Sequence, residues 1–88
     1  MNDQLASKTK VVAGNIRKIR EIRNYTQDYL AAKLGISQNA YSKIELGYSK
    51  LTLERLFQIS AILEVDVLEL ISFEKYRSLP EDSAIGEN

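Results

Sequence analysis

Residues 27–46 read QDYLAAKLGISQNAYSKIEL, and this stretch decides the fold. Apolar residues recur at helical intervals on both sides of the turn Gly35-Ile36-Ser37: Leu30, Ala31 and Leu34 before it, and Tyr41 and Ile44 after it. The spacing predicts two short amphipathic helices joined by a three-residue turn. Gly35 suits the left-handed conformation that ends the first of them. Periodicity alone leaves open an ordinary helical hairpin in a bundle core.

The polar face of the second helix favours a more specific interpretation. Once Tyr41 and Ile44 are assigned to the core, that helix exposes four polar side chains at its start: Gln38, Asn39, Ser42 and Lys43. Gln and Asn can pair with the N6 and N7 edge of adenine, Lys can reach guanine O6 and N7, and Ser can bond to either. Each residue alone is typical of a solvated surface, but the group at a helix start predicts base reading in a DNA major groove.

Composition limits the other functions. The chain has 88 residues, of which 44% are apolar, so we expect one small domain. It has no cysteine and no histidine, which argues against a disulfide, a zinc site, and catalysis by an imidazole or a thiolate. The carboxylates are scattered and the glycines form no phosphate loop, so we expect no enzyme, cofactor, metal or small-molecule ligand. No apolar run near the amino terminus suits a signal peptide or membrane span, and we expect a cytoplasmic protein.

Charge is distributed unevenly although the net charge is zero. Residues 8–50 contain nine basic and three acidic side chains, whereas residues 51–88 contain three basic and eight acidic ones. We expect the basic half to face phosphate and the acidic half to face solvent or a partner.

Helix starts are marked by Thr, Ser or Asp caps flanked by apolar residues, the pattern of a hydrophobic staple. These caps are Thr26, Ser37, Thr52 and Asp66, and Glu69 completes a capping box with Asp66. The predicted helices lie near 10–23, 27–34, 38–46, 53–63 and 67–77, with Asn24 and Gly47 in left-handed end positions. We expect an all-α domain over residues 9–78, with flexible segments at 1–8 and 79–88.

The same periodicity predicts the core. Its expected members are Val12, Ile16, Ile19, Leu30, Ala31, Leu34, Tyr41, Ile44, Leu53, Leu56, Phe57, Ile59, Ser60 and Leu63.

Residues 16–70 resemble the Cro/cI (Xre) family of phage-repressor-like helix-turn-helix domains. The matching segments are IRKIR at 16–20, TQDYLAAKLGIS at 26–37, YSKIELG at 41–47 and TLERLFQISAILEVDVLEL at 52–70. The resemblance implies a compact five-helix lambda-repressor-like fold whose helix-turn-helix is formed by helices 2 and 3. It also implies a sequence-specific regulator of transcription, typically a repressor on a palindromic operator, from a bacterium or phage. One departure is Leu46, where the family usually has Asn.

The resemblance implies two further roles within the domain. Similar proteins hold an Arg and a Glu at the positions of Arg20 and Glu45 as a partly buried ion pair that joins the first helix to the third. In similar proteins the counterpart of Gln27 braces that of Gln38. The helix amino termini are suited to phosphate, because they carry free amide groups and partial positive charge. The expected phosphate-contacting or bracing residues are Thr26, Gln27, Ser37, Tyr48, Ser49, Lys50 and Thr52.

Residues 67–79 contain more apolar side chains than one buried stripe needs, although some of them must pack on the fourth helix. We expect the remainder to form a homodimer contact that includes Leu68, Ile71, Phe73 and Tyr76. An alternative is an antitoxin or protein-interaction module whose acidic carboxyl-terminal half binds a toxin or another regulator.

Overall fold

The structure is a computed structural model that describes the backbone of residues 3–77 and the side chains of residue 5 and residues 7–72. Within residues 3–77 the chain forms five helices and no strand: α1 Asp3–Ile22, α2 Gln27–Leu34, α3 Gln38–Glu45, α4 Leu53–Leu63 and α5 Val67–Arg77. The all-α prediction is therefore confirmed, and α2 and α3 form the predicted helix-turn-helix. Over the described residues, no helix is long and apolar enough to cross a membrane.

The second to fifth helices begin at the positions that the capping residues predicted. The hydroxyl oxygens of Thr26, Ser37 and Thr52 each accept the backbone N–H three residues further on, at 3.0, 3.0 and 3.1 Å. At the start of α5, the Asp66 carboxylate accepts a backbone N–H two residues on at 3.3 Å, and Glu69 accepts the Asp66 N–H at 3.1 Å. Each cap satisfies an amide that has no partner inside its helix.

Left-handed residues end the helices. Asn24 and Gly47 have φ of 63° and 80°, as expected, and Gly35 has φ of 74°. The end of α4 at Leu63 agrees with the prediction, but the left-handed residue that follows it, Glu64 with φ of 61°, was not predicted. The guanidinium of Arg23 donates to the Glu64 carbonyl at 3.0 Å, which helps to hold this conformation of a residue that bears a Cβ.

The first helix is longer than predicted. It begins at Asp3 rather than near residue 10, so residues 3–8, expected to be flexible, are helical. These residues contain neither Pro nor Gly, and nothing in them interrupts a helix. Residues 1 and 2 and the predicted tail at 79–88 lie outside the described residues.

The core forms around α1, against which α3, α4 and α5 all pack. Tyr41 is fully buried, as predicted. The other buried apolar residues are Ala13, Ile16, Ile19, Leu30, Ala31, Ile44, Ile59, Leu63 and Leu70. The fifth helix packs more extensively on α1 than on α4, which sequence reasoning had taken as its support. The buried amide of Asn15 donates to the Leu70 carbonyl at 2.8 Å and ties α1 to α5.

Two core assignments were wrong. Leu53 and Phe57 are 66% and 53% exposed, whereas Ile59, Ser60 and Leu63 form the buried face of α4. Leu53 is the first residue of α4, and Phe57 lies one turn further along the same flank. This flank borders the buried face without being covered by another described helix. The remaining expected members, Val12, Leu34 and Leu56, are half-buried.

Candidate nucleic-acid interface

The exposed face of α3 presents the polar residues identified in the sequence. Tyr41, Ile44 and Glu45 are buried on the opposite face and fix the rotation of the helix. As a result Gln38 and Asn39 are exposed and Ser42 is half-buried, and with Gln27 of α2 they surround a shallow cleft of about 330 Å³. Lys43 is exposed on α3 but does not line this cleft. The structure thus brings together three of the four expected base-reading residues and one bracing residue.

A buried ion pair holds α3 to α1. Arg20 Nε donates to Glu45 Oε2 at 2.6 Å, and Arg20 Nη2 donates to Glu45 Oε1 at 3.1 Å. The two side chains are only 10% and 2% exposed. Arg20 Nη1 also donates to the Tyr25 carbonyl at 2.8 Å, in the turn that precedes α2. One guanidinium therefore fixes α1, the start of the helix-turn-helix and the end of α3 relative to one another.

Two further side chains bind the same carboxylate. The Tyr41 hydroxyl donates to Glu45 Oε2 at 2.5 Å, and Gln27 Nε2 donates to Glu45 Oε1 at 3.1 Å. The Gln27 amide nitrogen is thus bonded to Glu45, and no bond between Gln27 and Gln38 is described. The two glutamines line one cleft without a described hydrogen bond between their side chains. We call Arg20, Tyr41, Gln27 and Glu45 the Glu45 network.

Burial and hydrogen bonding act in opposite directions on the pKa of Glu45 and of Arg20. Burial alone would raise the pKa of Glu45, but the hydrogen bonds from Arg20, Tyr41 and Gln27 outweigh it and lower the pKa below the ordinary value. The hydrogen bond to Glu45 raises the pKa of Arg20. Burial, followed by the hydrogen bond to Glu45, raises the pKa of Tyr41. Glu45 is therefore ionised and Tyr41 neutral at physiological pH.

The expected phosphate contacts fall into two groups. Thr26, Ser37 and Thr52 are N-caps, so each hydroxyl oxygen already accepts a bond from its own helix. Only their hydroxyl hydrogens remain to donate to a phosphate oxygen. The second group lies in the loop between α3 and α4 and consists of Tyr48, Ser49 and Lys50. All three line one groove with Thr9 and Lys10 of α1. Leu46, the departure from the family pattern, is exposed.

Sequence reasoning missed several members of the interface. The Tyr41 hydroxyl belongs to the Glu45 network, and the Tyr25 carbonyl accepts a hydrogen bond from Arg20 of that network. Neither group was assigned a polar role from the sequence. Thr9 was missed because it precedes the predicted start of the first helix, and Lys10 was assigned only to the basic half of the chain. The spacing of Tyr41 and Glu45, one helical turn apart, is a signal that could have shown their contact.

The expected dimer face is described only in part. Leu68 and Ile71 are 65% and 47% exposed on α5. The side chains of Phe73 and Tyr76 lie outside the described residues. Among the side chains that are described, no group of three or more His, Cys, Asp or Glu is placed to hold a metal ion.

A helix-turn-helix family model matches residues 16–70. The match covers more than half of the chain, so the protein belongs to this helix-turn-helix family, and its resemblance to the Xre and Cro/cI type is confirmed. Membership of this family indicates a DNA-binding protein of transcription regulation.

Comparison with curated proteins gives a relative from Bacillus subtilis (strain 168), the uncharacterized HTH-type transcriptional regulator YqaE. The two chains are 36% identical over 70 residues, which make up 80% of this chain and 60% of the relative. The match therefore spans about three fifths of the relative's length. No solved structure matches the chain significantly.

Proposed function

We propose that this protein is a sequence-specific regulator of transcription that inserts α3 into the major groove of double-stranded DNA. The observation that carries the proposal is the cleft formed by Gln38, Asn39 and Ser42 on a helix whose opposite face is fixed by the Glu45 network. A reading helix must present its side chains in a fixed register, and a buried ion pair with two further hydrogen bonds provides that rigidity.

Each polar residue has a distinct role in the proposed contact. Gln38 and Asn39 pair with adenine edges, Lys43 reaches guanine, and Ser42 bonds to either kind of base. Because a carboxylate only accepts hydrogen bonds, Glu45 holds Gln27 with its amide nitrogen inward. The Gln27 amide oxygen then accepts a bond from Gln38 or from a base amino group.

The loop after α3 supplies contacts to phosphate that carry no sequence information. Tyr48, Ser49 and Lys50 present two hydroxyl groups and an ammonium group along one groove. Lys50 and the other basic side chains of residues 8–50 would attract the DNA backbone. The acidic residues 51–88 would point away from it. These contacts set the position of the protein, and α3 provides the specificity.

We propose further that two copies bind a palindromic operator and repress transcription. One reading helix contacts only a few base pairs, so two copies about 34 Å apart along the DNA would be needed for a useful site. The exposed Leu68 and Ile71 supply an apolar patch for a twofold contact. Light scattering at micromolar protein should give a dimer, and Leu68→Lys should give a monomer with unchanged helicity. A wild-type monomer under these conditions would contradict the dimer.

The proposal is tested by selecting bound DNA from a random library at a stated salt concentration. We expect enrichment of a palindrome with half-sites about one helical turn apart, roughly 10 base pairs. A reporter promoter that carries the selected site should then be repressed by the protein. Failure to enrich any sequence would overturn the proposal and favour the protein-interaction module with an acidic carboxyl-terminal half.

Two lysine variants separate reading from positioning. Lys43→Ala should relax specificity at one base pair, at a cost of about 1–3 kcal/mol for the preferred base. Lys50→Ala should weaken binding to all sequences alike and reduce the slope of affinity against salt by about one unit. Lys33→Ala is the matched control, because Lys33 is not among the proposed base-reading or phosphate-contacting residues. It lies on α2, with its ammonium 5.6 Å from the centre of the Tyr29 ring. Loss of specificity in the Lys33 variant but not in the Lys43 variant would contradict the assignment.

A further inference from the structure

A groove separates the amino-terminal half of α1 from the loop between α3 and α4. Its volume is about 450 Å³, within the size range of known ligand sites. We call it the loop groove, and it is lined by Thr9, Lys10, Val12, Gly47, Tyr48, Ser49, Lys50, Leu51 and Leu56. The two walls come close at Gly47, because a Cβ added there would lie 3.1 Å from Lys10 Cγ.

The chemistry of the loop groove favours an anionic segment with apolar side chains. Val12, Leu51 and Leu56 form an apolar floor that packs on the core. Lys10 and Lys50 supply two positive charges, and none of the nine lining residues is acidic. A bound peptide that combines carboxylates with a few apolar side chains would match both features.

The carboxyl-terminal residues of this chain have that composition. Residues 78–88 read SLPEDSAIGEN and lie outside the described residues. They contain the carboxylates of Glu81, Asp82 and Glu87, the apolar side chains of Leu79 and Ile85, and no Lys or Arg.

The groove lies within reach of this segment. Near the start of α5, Glu69 shares a cleft with Ile19 and Ile22, and further on the Leu70 carbonyl binds Asn15. Residue numbers thus rise along α5 as they fall along α1, so the part of α5 before Ser72 runs antiparallel to α1. The backbone of Ser72 is not helical and α5 bends there, but the end of α5 still lies within about 10 Å of Leu70. Thr9 and Lys10 of the groove lie less than about 10 Å from Asn15 along α1. The next eleven residues can span up to about 36 Å.

We propose that residues 78–88 bind in the loop groove of their own chain and compete with DNA. Glu81 and Asp82 would pair with Lys10 and Lys50, and Ile85 would cover the apolar floor. Docking itself is independent of the proposed function, whereas its effect on DNA rests on the proposed phosphate contacts of the loop. A short tether gives an effective concentration of about 1 mM, so even a weak contact would occupy the groove for much of the time.

Docking is tested without DNA by comparing backbone amide spectra of the full chain with those of a chain that ends at residue 77. We expect shift changes at Thr9 and Lys10, at residues 47–51 and at Leu56. Changes confined to α5, or no changes, would overturn the proposal. Changes that depend on protein concentration would also overturn it, since they would indicate docking between two copies. Because no DNA is present, this result stands whether or not the protein reads an operator.

The effect on DNA is tested with Glu81→Gln/Asp82→Asn. Its matched control is Glu21→Gln/Glu54→Gln, which removes the same charge from exposed helix positions. If the tail occupies the groove half the time or more, releasing it should tighten DNA binding about two- to five-fold over the control. Equal affinities for the two variants would show that net charge alone acts and would overturn the competition.

Discussion

Replacing Glu45 by Gln tests the buried network that positions α3. Glu45→Gln keeps the shape of the side chain but removes the charge that compensates Arg20. The Arg20 guanidinium would remain nine-tenths buried, with its Nε 2.6 Å from a neutral oxygen or from an amide nitrogen that it cannot bond. Removing one member of a buried pair costs about 3–5 kcal/mol, and the lower value fits here because the Gln amide can keep one acceptor.

The expected loss is therefore about 3 kcal/mol, a large fraction of the roughly 5–15 kcal/mol by which small domains are stable. For a domain of this size it corresponds to a decrease in Tm of about 12–24 °C. Urea unfolding followed by circular dichroism measures the free energy, and a thermal scan measures the Tm.

The matched control is Glu21→Gln. Glu21 accepts from Arg17 Nε at 3.2 Å and lies 4.0 Å from Arg20 Nη2, but its side chain is more than half exposed. Exposed pairs contribute little, so the control should lose less than about 0.5 kcal/mol. If Glu45→Gln is no more destabilising than Glu21→Gln, the argument from the buried pair is refuted.

The remaining predictions concern pH, a hydroxyl group and a backbone turn. Because the pKa of Glu45 is lowered in the folded state, Glu45 should stabilise the protein above the ordinary Glu pKa and lose this contribution as pH falls through the folded-state pKa. Urea unfolding of wild type and Glu45→Gln from about pH 7 to about pH 3 should therefore show converging free energies of unfolding. A difference that stays constant with pH would contradict this prediction. Tyr41→Phe removes one hydrogen bond to a charged group and should lower the free energy of unfolding by about 1–2 kcal/mol, whereas no change in urea unfolding would show that the hydroxyl adds no stability. Gly47→Ala should lower the Tm through a cost of about 1–2 kcal/mol, because Gly47 has φ of 80° and its new Cβ would meet Lys10. Gly14→Ala, at an open helical position, should instead stabilise by about 0.5–1 kcal/mol, and equal effects of the two glycine variants would refute the strain.

Local signals in the sequence determine most of the fold. The caps Thr26, Ser37 and Thr52 act through hydrogen bonds to residues three positions away, so their effect is visible in the sequence. The starts of four helices were predicted for this reason. The start of α1 has no described cap, and nothing in residues 3–9 distinguishes a helix from a flexible segment.

Tertiary contacts explain the errors. Whether Leu53 and Phe57 are buried depends on which neighbouring helix covers that flank of α4, and periodicity carries no such information. The same holds for the packing of α5 on α1, where Asn15 bonds to Leu70 across 55 positions of sequence. In the candidate site, Gln27 bonds to Glu45 because the ion pair brings that carboxylate to the start of α2.

The central claim is that the exposed amides of α3 read base edges, and the Gln38→Ala variant tests it most directly. Gln38 is exposed and makes no described contact with the core, so its replacement should leave the Tm unchanged. The measurement is the ratio of dissociation constants for random DNA and for the selected operator, determined for wild type and variant at the same salt concentration. We predict that the ratio falls about ten-fold, with the affinity for random DNA unchanged. A ratio equal to that of the wild type would contradict the claim that this face of α3 reads the sequence.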